Sequence, residues 1–174
     1  MKHDETDLEQ LYKEMMEECN ATVAHLCRAY YPLDDYLYHD LYAEVILHLW
    51  EALPFFRQQS SLSTWACHVA LNVAREHYRR QTRRPQTVSL DSLPEAFHPS
   101  TDDDSERGEM LRHLYRLIDR LPPEKREVLS LYLDRKPLRE IAEILGITPS
   151  SVSTQITRIK QTLIKMHENE TDES

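Results

Sequence analysis

Apolar residues recur every three or four positions along most of the chain, which is the spacing of one face of an α-helix. The first such stripe predicts a helix that begins near Thr6, where Thr6 and Glu9 fit a capping box. Pro32 ends this helix, because the residue before a proline is restricted to extended conformations. The stripe consists of Leu8, Leu11, Met15, Cys19, Val23, Leu26 and Tyr30.

Two more helices are predicted before the next change in composition. One begins at residue 34 or 35 and ends at 53, and the other begins at 63 or 64 and extends to 85. A polar loop, residues 57–61, separates them. Trp50 and Trp65 lie at helical spacing beside the apolar stripes, so we interpret both as core residues.

Residues 85–107 differ in composition from the segments on either side. They contain three prolines, several serines and threonines, and the acidic run 102–104. Such a segment cannot bury enough apolar area to order itself, so the composition predicts a flexible linker. After it, apolar stripes predict two further helices, over 111–121 and around 128–132.

These patterns predict an all-α protein of two small helical domains joined by a flexible acidic linker. The first domain covers residues 1–84, the linker 85–107 and the second domain 108–167, and an acidic tail, 168–174, follows. The chain has only 2 glycines in 174 residues, which disfavours an all-β fold with its many tight turns. We expect the two domains to be independent of each other.

The strongest local pattern lies in residues 137–165 and predicts a helix-turn-helix. Residues 138–145 form a short amphipathic stripe that ends at Gly146, a residue suited to a left-handed helix cap. Thr148 is a good N-cap for a second helix, and Pro149 stands at its first position. A helical hairpin with no DNA contact is the alternative. Opposite the apolar side, the second helix presents Ser150, Thr154, Thr157, Arg158 and Gln161.

Positive charge is concentrated locally although the net charge of the chain is −9. Residues 75–84 hold five arginines and one glutamate, and residues 111–167 also carry a basic excess. Local charge rather than the total governs contact with nucleic acid. The arginines of the first zone share one side of a helix and would repel each other without an anion, so this stripe is either a DNA contact or a solvated charge run.

An acidic pair occupies the second predicted helix. Asp40 and Glu44 lie one turn apart, with His48 one turn further along. A helical di-metal site needs Glu-x-x-His on two helices, and the one such motif here, Glu95 to His98, lies in the predicted linker. We therefore expect no metal, no cofactor and no enzymatic activity. The pair is either a solvated face or a docking surface for a basic partner.

The cysteines and the start of the chain bear on its compartment. The three cysteines form no CxxC pair, and the first 20 residues lack the basic and apolar regions of a secretion signal. No apolar run is long enough to span a membrane. We expect a cytoplasmic protein with reduced thiols packed between helices.

Four segments together resemble one protein family. Residues 40–50, DLYAEVILHLW, resemble the D-L-x-Q-E-V-F-x-x-L-W signature of region 2 in extracytoplasmic-function (ECF) sigma factors. Residues 65–80 are similar to the W-L-x-x-I-A-x-N…R-R helix of the same region. Residues 121–129 and 140–152 resemble the L-P-x-x-x-R-x-V-L and E-I-A-x-x-L-G-I…V motifs of region 4. By this resemblance the chain is identified as a member of the ECF sigma factors, which direct RNA polymerase to promoters.

The resemblance implies roles for particular residues in region 2. Asp40 and Glu44 would bind the β′ clamp helices of core RNA polymerase. The loop 56–61, with Arg57 and Gln58, would capture a base of the minus-ten promoter element. The helix after it would contact adjacent DNA through Asn72, Arg75, Arg79, Arg80 and Arg83.

Region 4 would bind the polymerase β flap and read the minus-thirty-five element. The residues implied in this reading are Ser153, Thr154, Thr157 and Arg158. Where the family commonly has basic residues early in the recognition helix, this chain has Ser153 and Gln155. The resemblance also makes an anti-sigma factor a candidate partner, and it implies no membrane contact.

Two other functions fit part of the sequence. A free-standing helix-turn-helix regulator would explain residues 111–167 but would leave the acidic pair at Asp40 and Glu44 without a role. A helical metalloenzyme would use the acidic pair but would lack the ligand spacing that a metal requires.

Overall fold

The computed structural model describes residues 5–83 and 106–172. All regular secondary structure in these two ranges is helical. No strand occurs within them, in agreement with the all-α prediction. In the first range lie α1 (Glu5–Tyr30), α2 (Asp35–Ala52), a 3₁₀ helix (Leu53–Phe55) and α3 (Leu62–Arg83). In the second lie α4 (Glu106–Asp119), α5 (Pro123–Leu133), α6 (Leu138–Leu145) and α7 (Pro149–Asp172). The predicted linker lies outside the described residues except at its last two positions, and the Thr6 side chain is also outside them.

The helices of the first half pack around the predicted apolar stripes. Asp34 caps α2, because its carboxylate accepts a hydrogen bond from the Leu37 backbone N–H at 2.8 Å. The core between α1, α2 and α3 contains Met15, Cys19, Val23, Leu26, Leu41, Val45, Leu49, Ala66, Cys67 and Ala70.

The two tryptophans have different environments. Trp65 is partly buried and packs against Phe56 with ring centroids 5.2 Å apart. The prediction that Trp50 is a core residue is wrong, because 46% of it is exposed. Its indole lies on the outer side of α2, where it meets the Tyr12 ring edge-on at 5.1 Å. Helical spacing alone does not distinguish an aromatic residue that pairs on the surface from one that belongs to the core.

The helix-turn-helix of the second half forms as its turn residues predict. Gly146 has φ 70°, and the Ile147 N–H donates to the Ala142 carbonyl at 3.0 Å, which closes α6 with a left-handed cap. The Thr148 hydroxyl accepts from the Ser151 N–H at 3.2 Å and caps α7, whose first residue is Pro149. α7 continues to Asp172, so most of the predicted acidic tail is helical.

The two halves pack against each other, which differs from the expected independence of two domains. α1 contacts α5, α3 contacts α6, and one continuous hydrophobic core runs through both halves. Polar contacts accompany this packing: the buried Arg126 donates to the Ala29 carbonyl, and His25 pairs with Asp134 at 2.8 Å. The hydrogen bond with Asp134 raises the pKa of His25. The composition of a linker does not reveal whether the domains at its two ends have complementary faces.

Candidate protein and nucleic-acid interfaces

The acidic pair on α2 lies beside α3 and has partners there. Asp40 is 53% exposed, whereas the Glu44 side chain is only 25% exposed. One nitrogen of Arg80, Nη2, donates to both oxygens of Glu44, at 2.6 and 2.7 Å. The other predicted neighbour, His48, is 3.9 Å from Glu44. The pair therefore forms an acidic face whose two carboxylates are held from α3.

A buried histidine connects this face to the core. His77 on α3 is 1% exposed, and its Nε2 lies 3.0 Å from Asp40 Oδ2. Its Nδ1 lies 2.8 Å from the Tyr31 hydroxyl. Because a carboxylate only accepts, Nε2 carries a proton in this contact, and Nδ1 shares a hydrogen bond with the Tyr31 hydroxyl. Every polar atom of the imidazole is satisfied in this arrangement.

The arginines of α3 do not form one uniform patch. Arg75 reaches across to α5, where its Nη2 lies 2.6 Å from Glu127 Oε1. Arg79 pairs with Glu76 of the same helix at 3.2 Å, and Arg80 pairs with Glu44. Three of the arginines predicted to contact DNA are therefore paired with carboxylates of the protein itself. Arg83 is exposed, and Arg84 lies outside the described residues.

The contact of Arg75 belongs to the interface between the two halves. Glu127 is 3% exposed and also accepts a hydrogen bond from the Tyr30 hydroxyl. Burial and the charge of Glu127 raise the pKa of Tyr30, so this phenol stays protonated. Asn72, another predicted DNA contact, is exposed and lies 3.0 Å from His68 Nε2. His68 in turn donates from Nδ1 to the Ile144 carbonyl of α6 at 2.9 Å.

Three exposed side chains lie where the 3₁₀ helix meets the loop that leads to α3. Arg57 and Gln58, both predicted from the family resemblance, are exposed. Gln58 has φ 56°, a conformation that is uncommon for a residue other than glycine. The structure adds Phe55, which is 78% exposed, while the next residue, Phe56, is buried. An exposed aromatic ring next to polar donors can stack on an unpaired base.

The polar face of α7 is open to solvent along the stretch predicted to read DNA. Ser153, Thr154, Thr157 and Arg158 are exposed, and Val152, Ile156 and Ile159 are buried on the opposite side. Thr154 donates its hydroxyl to the Ser150 carbonyl at 2.9 Å, and Thr157 donates to the Ser153 carbonyl at 3.0 Å. Each hydroxyl therefore retains acceptor lone pairs, and Arg158 supplies the charged donors.

Sequence reasoning missed His77, Phe55 and Glu127. His77 lies three residues before Arg80 and four after Val73, but nothing local marks a histidine as buried. Glu127 belongs to an apparently solvated motif, and its partner Arg75 is 52 residues away. Phe55 directly precedes the predicted loop 56–61, but the sequence does not show that its ring is exposed while that of Phe56 is buried.

The cysteines and the histidines do not form a metal centre in the described ranges. No group of three or more His, Cys, Asp or Glu side chains there is placed to hold an ion. Burial raises the pKa of Cys19 to about 11 and the pKa values of Cys27 and Cys67 to about 12. All three thiols are free. None of the described helices is long and apolar enough to cross a membrane.

Comparison with known proteins assigns both halves to one family. The family model for Sigma-70 region 2 matches residues 15–84, and the model for Sigma-70 region 4 matches residues 111–163. The chain belongs to the sigma-70 family. Within the sigma factor, the region 2 match contains the acidic face, the loop and the arginines of α3, and the region 4 match contains the helix-turn-helix.

Curated relatives place the sigma factor in the ECF group. The ECF RNA polymerase sigma-E factor of Escherichia coli K12 is 29% identical over 151 residues, which are 81% of this chain and 78% of that protein. The RNA polymerase sigma factor HrpL of Pseudomonas syringae pv. syringae is 27% identical over 109 residues, 60% of this chain and 59% of that protein. The protein is an alternative sigma factor that directs transcription initiation.

Solved structures share the fold. The sigma factor RpoE of Bartonella quintana, solved in complex with the anti-sigma factor NepR, has a TM-score of 0.68 at 16% identity and covers 90% of this chain and 96% of its own. CnrH, solved with the cytosolic domain of CnrY, has a TM-score of 0.60 at 19% identity and covers 91% and 88%.

Proposed function

We propose that this sigma factor docks on core RNA polymerase through Asp40 and Glu44 of α2. The observation that carries the proposal is their joint placement on one acidic face, with both carboxylates held in position and Asp40 more than half exposed. A paired acidic face suits a basic surface, and the family resemblance names the β′ clamp helices as that surface. Complementary charge of this kind sets both the orientation and the rate of docking.

The loop after the 3₁₀ helix would capture a base of the minus-ten element. Arg57 and Gln58 offer hydrogen-bond donors to an extruded base, and the exposed ring of Phe55 offers a stacking surface. Of the α3 arginines that the structure describes, Arg83 is exposed and Arg79 pairs with Glu76 of its own helix, so these two are the more available for backbone phosphates.

The second helix of the helix-turn-helix would read the minus-thirty-five element. α7 presents Ser153, Thr154, Thr157 and Arg158 to solvent while its apolar side is fixed against the preceding helices. The threonine hydroxyls accept from base amino groups, and Arg158 grips guanine or a phosphate. The family resemblance also places the β flap of the polymerase against this region.

Reading both elements requires the two halves to separate. The elements lie about 25 base pairs apart, or roughly 85 Å at 3.4 Å per base pair. A compact body of this chain length is roughly 40 Å across, so the packed arrangement reaches one element at a time. We therefore keep the division into domains at 1–84 and 108–167, joined by 85–107 and followed by 168–174, for the bound state. The connecting stretch can extend roughly 70 Å.

An anti-sigma factor is a further partner that we propose for this protein. It is supported by the fold shared with the RpoE chain that was solved together with the anti-sigma factor NepR.

The docking role is tested by removing the charges while keeping the shapes. In the variant Asp40→Asn with Glu44→Gln, the side-chain oxygens still accept from His77 and Arg80, so helicity and stability should change little. We expect affinity for core polymerase to fall about tenfold or more, measured by competition with a labelled sigma factor.

The matched control is Asp7→Asn with Glu9→Gln, which removes the same charge from exposed positions on α1. A general effect of net charge would weaken both variants equally. If the α2 variant competes for core polymerase as well as the unchanged protein does, the docking assignment is wrong.

A further inference from the structure

We propose that Arg80 is a positioning residue of the polymerase-docking face and not a contact to promoter DNA. The inference rests on the proposed docking role of Asp40 and Glu44. Arg80 stands on the arginine-rich helix α3, where sequence pattern and family resemblance both assign it to DNA. Its guanidinium instead turns towards α2 and donates from Nη2 to both oxygens of Glu44, at 2.6 and 2.7 Å.

The contrast with its neighbour shows that this contact is specific to Arg80. Arg79 is 59% exposed and, within the described parts of the chain, pairs with Glu76 on its own helix, at 3.2 Å. Arg80 makes the close ionic contact between α3 and the docking residue Glu44, at 2.6 Å, whereas His77 Nε2 lies 3.9 Å from Glu44 Oε2. The Glu44 side chain remains 25% exposed. A guanidinium committed in this way has fewer donors for a phosphate.

Positioning has a physical benefit for docking. A free glutamate on a helix surface samples several rotamers, and ordering it on contact with a partner opposes binding. An ionised carboxylate has about four acceptor sites, so the contact with a single nitrogen of Arg80 leaves sites for a cation of the polymerase. Arg80 thus holds Glu44 in one orientation before docking.

His77 gives Asp40 the same support from the interior. Its Nε2 donates to Asp40 Oδ2 at 3.0 Å, and the Tyr31 hydroxyl fixes the ring from the other side. His77 is buried, so a substitution there would disturb the core as well as the face. Arg80 is half exposed, and for that reason it is the residue on which the positioning role can be tested cleanly.

The loss of charge and the loss of positioning change the affinity for core polymerase in opposite directions when Arg80 is replaced by alanine. Loss of a positive charge makes the acidic face more negative, and by Coulomb attraction alone a basic partner would bind more tightly. Loss of a positioning contact frees Glu44 and weakens binding. A fall in affinity for Arg80→Ala would therefore be a positioning effect that overcomes the electrostatic one.

The experiment is a double-mutant cycle on the full chain with core polymerase. We expect Arg80→Ala to weaken core binding about three- to tenfold, and to have little further effect when Glu44→Ala is already present. Arg80→Lys, which keeps the charge but offers a weaker contact, should lie between. Lys13→Ala, which removes an exposed cation that pairs with Glu17 of its own helix, is the matched control and should leave core affinity unchanged. Thermal unfolding of each variant confirms that the fold is intact.

A second measurement separates docking from DNA contact. Holoenzyme is formed at saturating core polymerase, and promoter binding is then measured across a salt series. We expect Arg80→Ala to leave promoter affinity and its salt slope unchanged under these conditions, whereas a lost phosphate contact would flatten the slope by about one unit.

Each outcome bears on a different claim. If Glu44→Ala weakens core binding and Arg80→Ala does not, Arg80 is not a positioning residue while the docking role stands. If Arg80→Ala strengthens core binding, Arg80 competes with the polymerase for Glu44 and the proposal is wrong. If neither substitution changes core affinity, the docking role and the positioning role both fail.

Discussion

Arg158 lies on the exposed face of α7 between threonines whose hydroxyl protons are already used. Thr154 and Thr157 both donate to carbonyls of their own helix, so towards a base they act as acceptors or as methyl contacts. The family's basic positions early in this helix are occupied here by Ser153 and Gln155. If α7 binds DNA as proposed above, Arg158 supplies the charged contact on this face.

We predict that Arg158→Ala weakens promoter binding by about 1–3 kcal/mol if the guanidinium reads a base. If it contacts a phosphate, the salt slope flattens by about one unit instead. Thr154→Ala should alter sequence preference more than salt dependence. The measurement is binding of holoenzyme to promoter duplexes across a salt series. Lys165→Ala, an exposed cation further along α7, is the control. Unchanged affinity, preference and slope in both variants would remove α7 from the groove.

At the scale of the element, most helix ends are set by residues that act on their immediate neighbours in the chain. Asp34, Pro32 and Gly146 act within one turn, so the sequence alone located the start of α2, the end of α1 and the end of α6. The end of α7 was not predictable in this way. Its last turns are polar and lack an apolar stripe, yet the helix continues to Asp172.

The turn of the helix-turn-helix yields a prediction about stability. Gly146 has φ 70°, and a Cβ atom built on it would meet nothing within 4 Å, so any penalty comes from the backbone alone. We expect Gly146→Ala to lower the free energy of unfolding by about 1–2 kcal/mol, measured by urea denaturation. Gly146→Asn should be affected less, because asparagine tolerates left-handed geometry. Equal stability of all three proteins would show that the turn can relax out of this conformation.

At the scale of the whole molecule, the contact between the halves depends on residues that look unremarkable in the sequence. Glu127 and Arg126 belong to a charged opening of α5 that resembles any solvated helix start, yet both are buried. Their partners come from α1 and α3, nearly a hundred and about fifty residues away. Family motifs predicted each half correctly, but a motif carries no information about long-range pairing.

We predict that Glu127→Ala loosens the contact between the halves. The substitution leaves Arg75 and Tyr30 without their shared acceptor, and Arg75 is partly exposed, so the loss of stability should be about 1–3 kcal/mol. Chemical denaturation measures this loss, and small-angle X-ray scattering should show a larger radius of gyration. Glu124→Ala, an exposed glutamate on the same helix, should change neither quantity. An unchanged radius and stability for Glu127→Ala would show that apolar packing alone holds the halves together.

The burial of the three cysteines affects how readily this protein can be oxidised. The thiolate is the form of cysteine that peroxide and electrophiles attack. With pKa values of about 11 and 12, no more than about one thiol in ten thousand is ionised at neutral pH. The folded chain thus offers an oxidant no reactive thiol. We therefore expect an oxidative signal that acts through cysteine to reach transcription through a thiol on a different molecule.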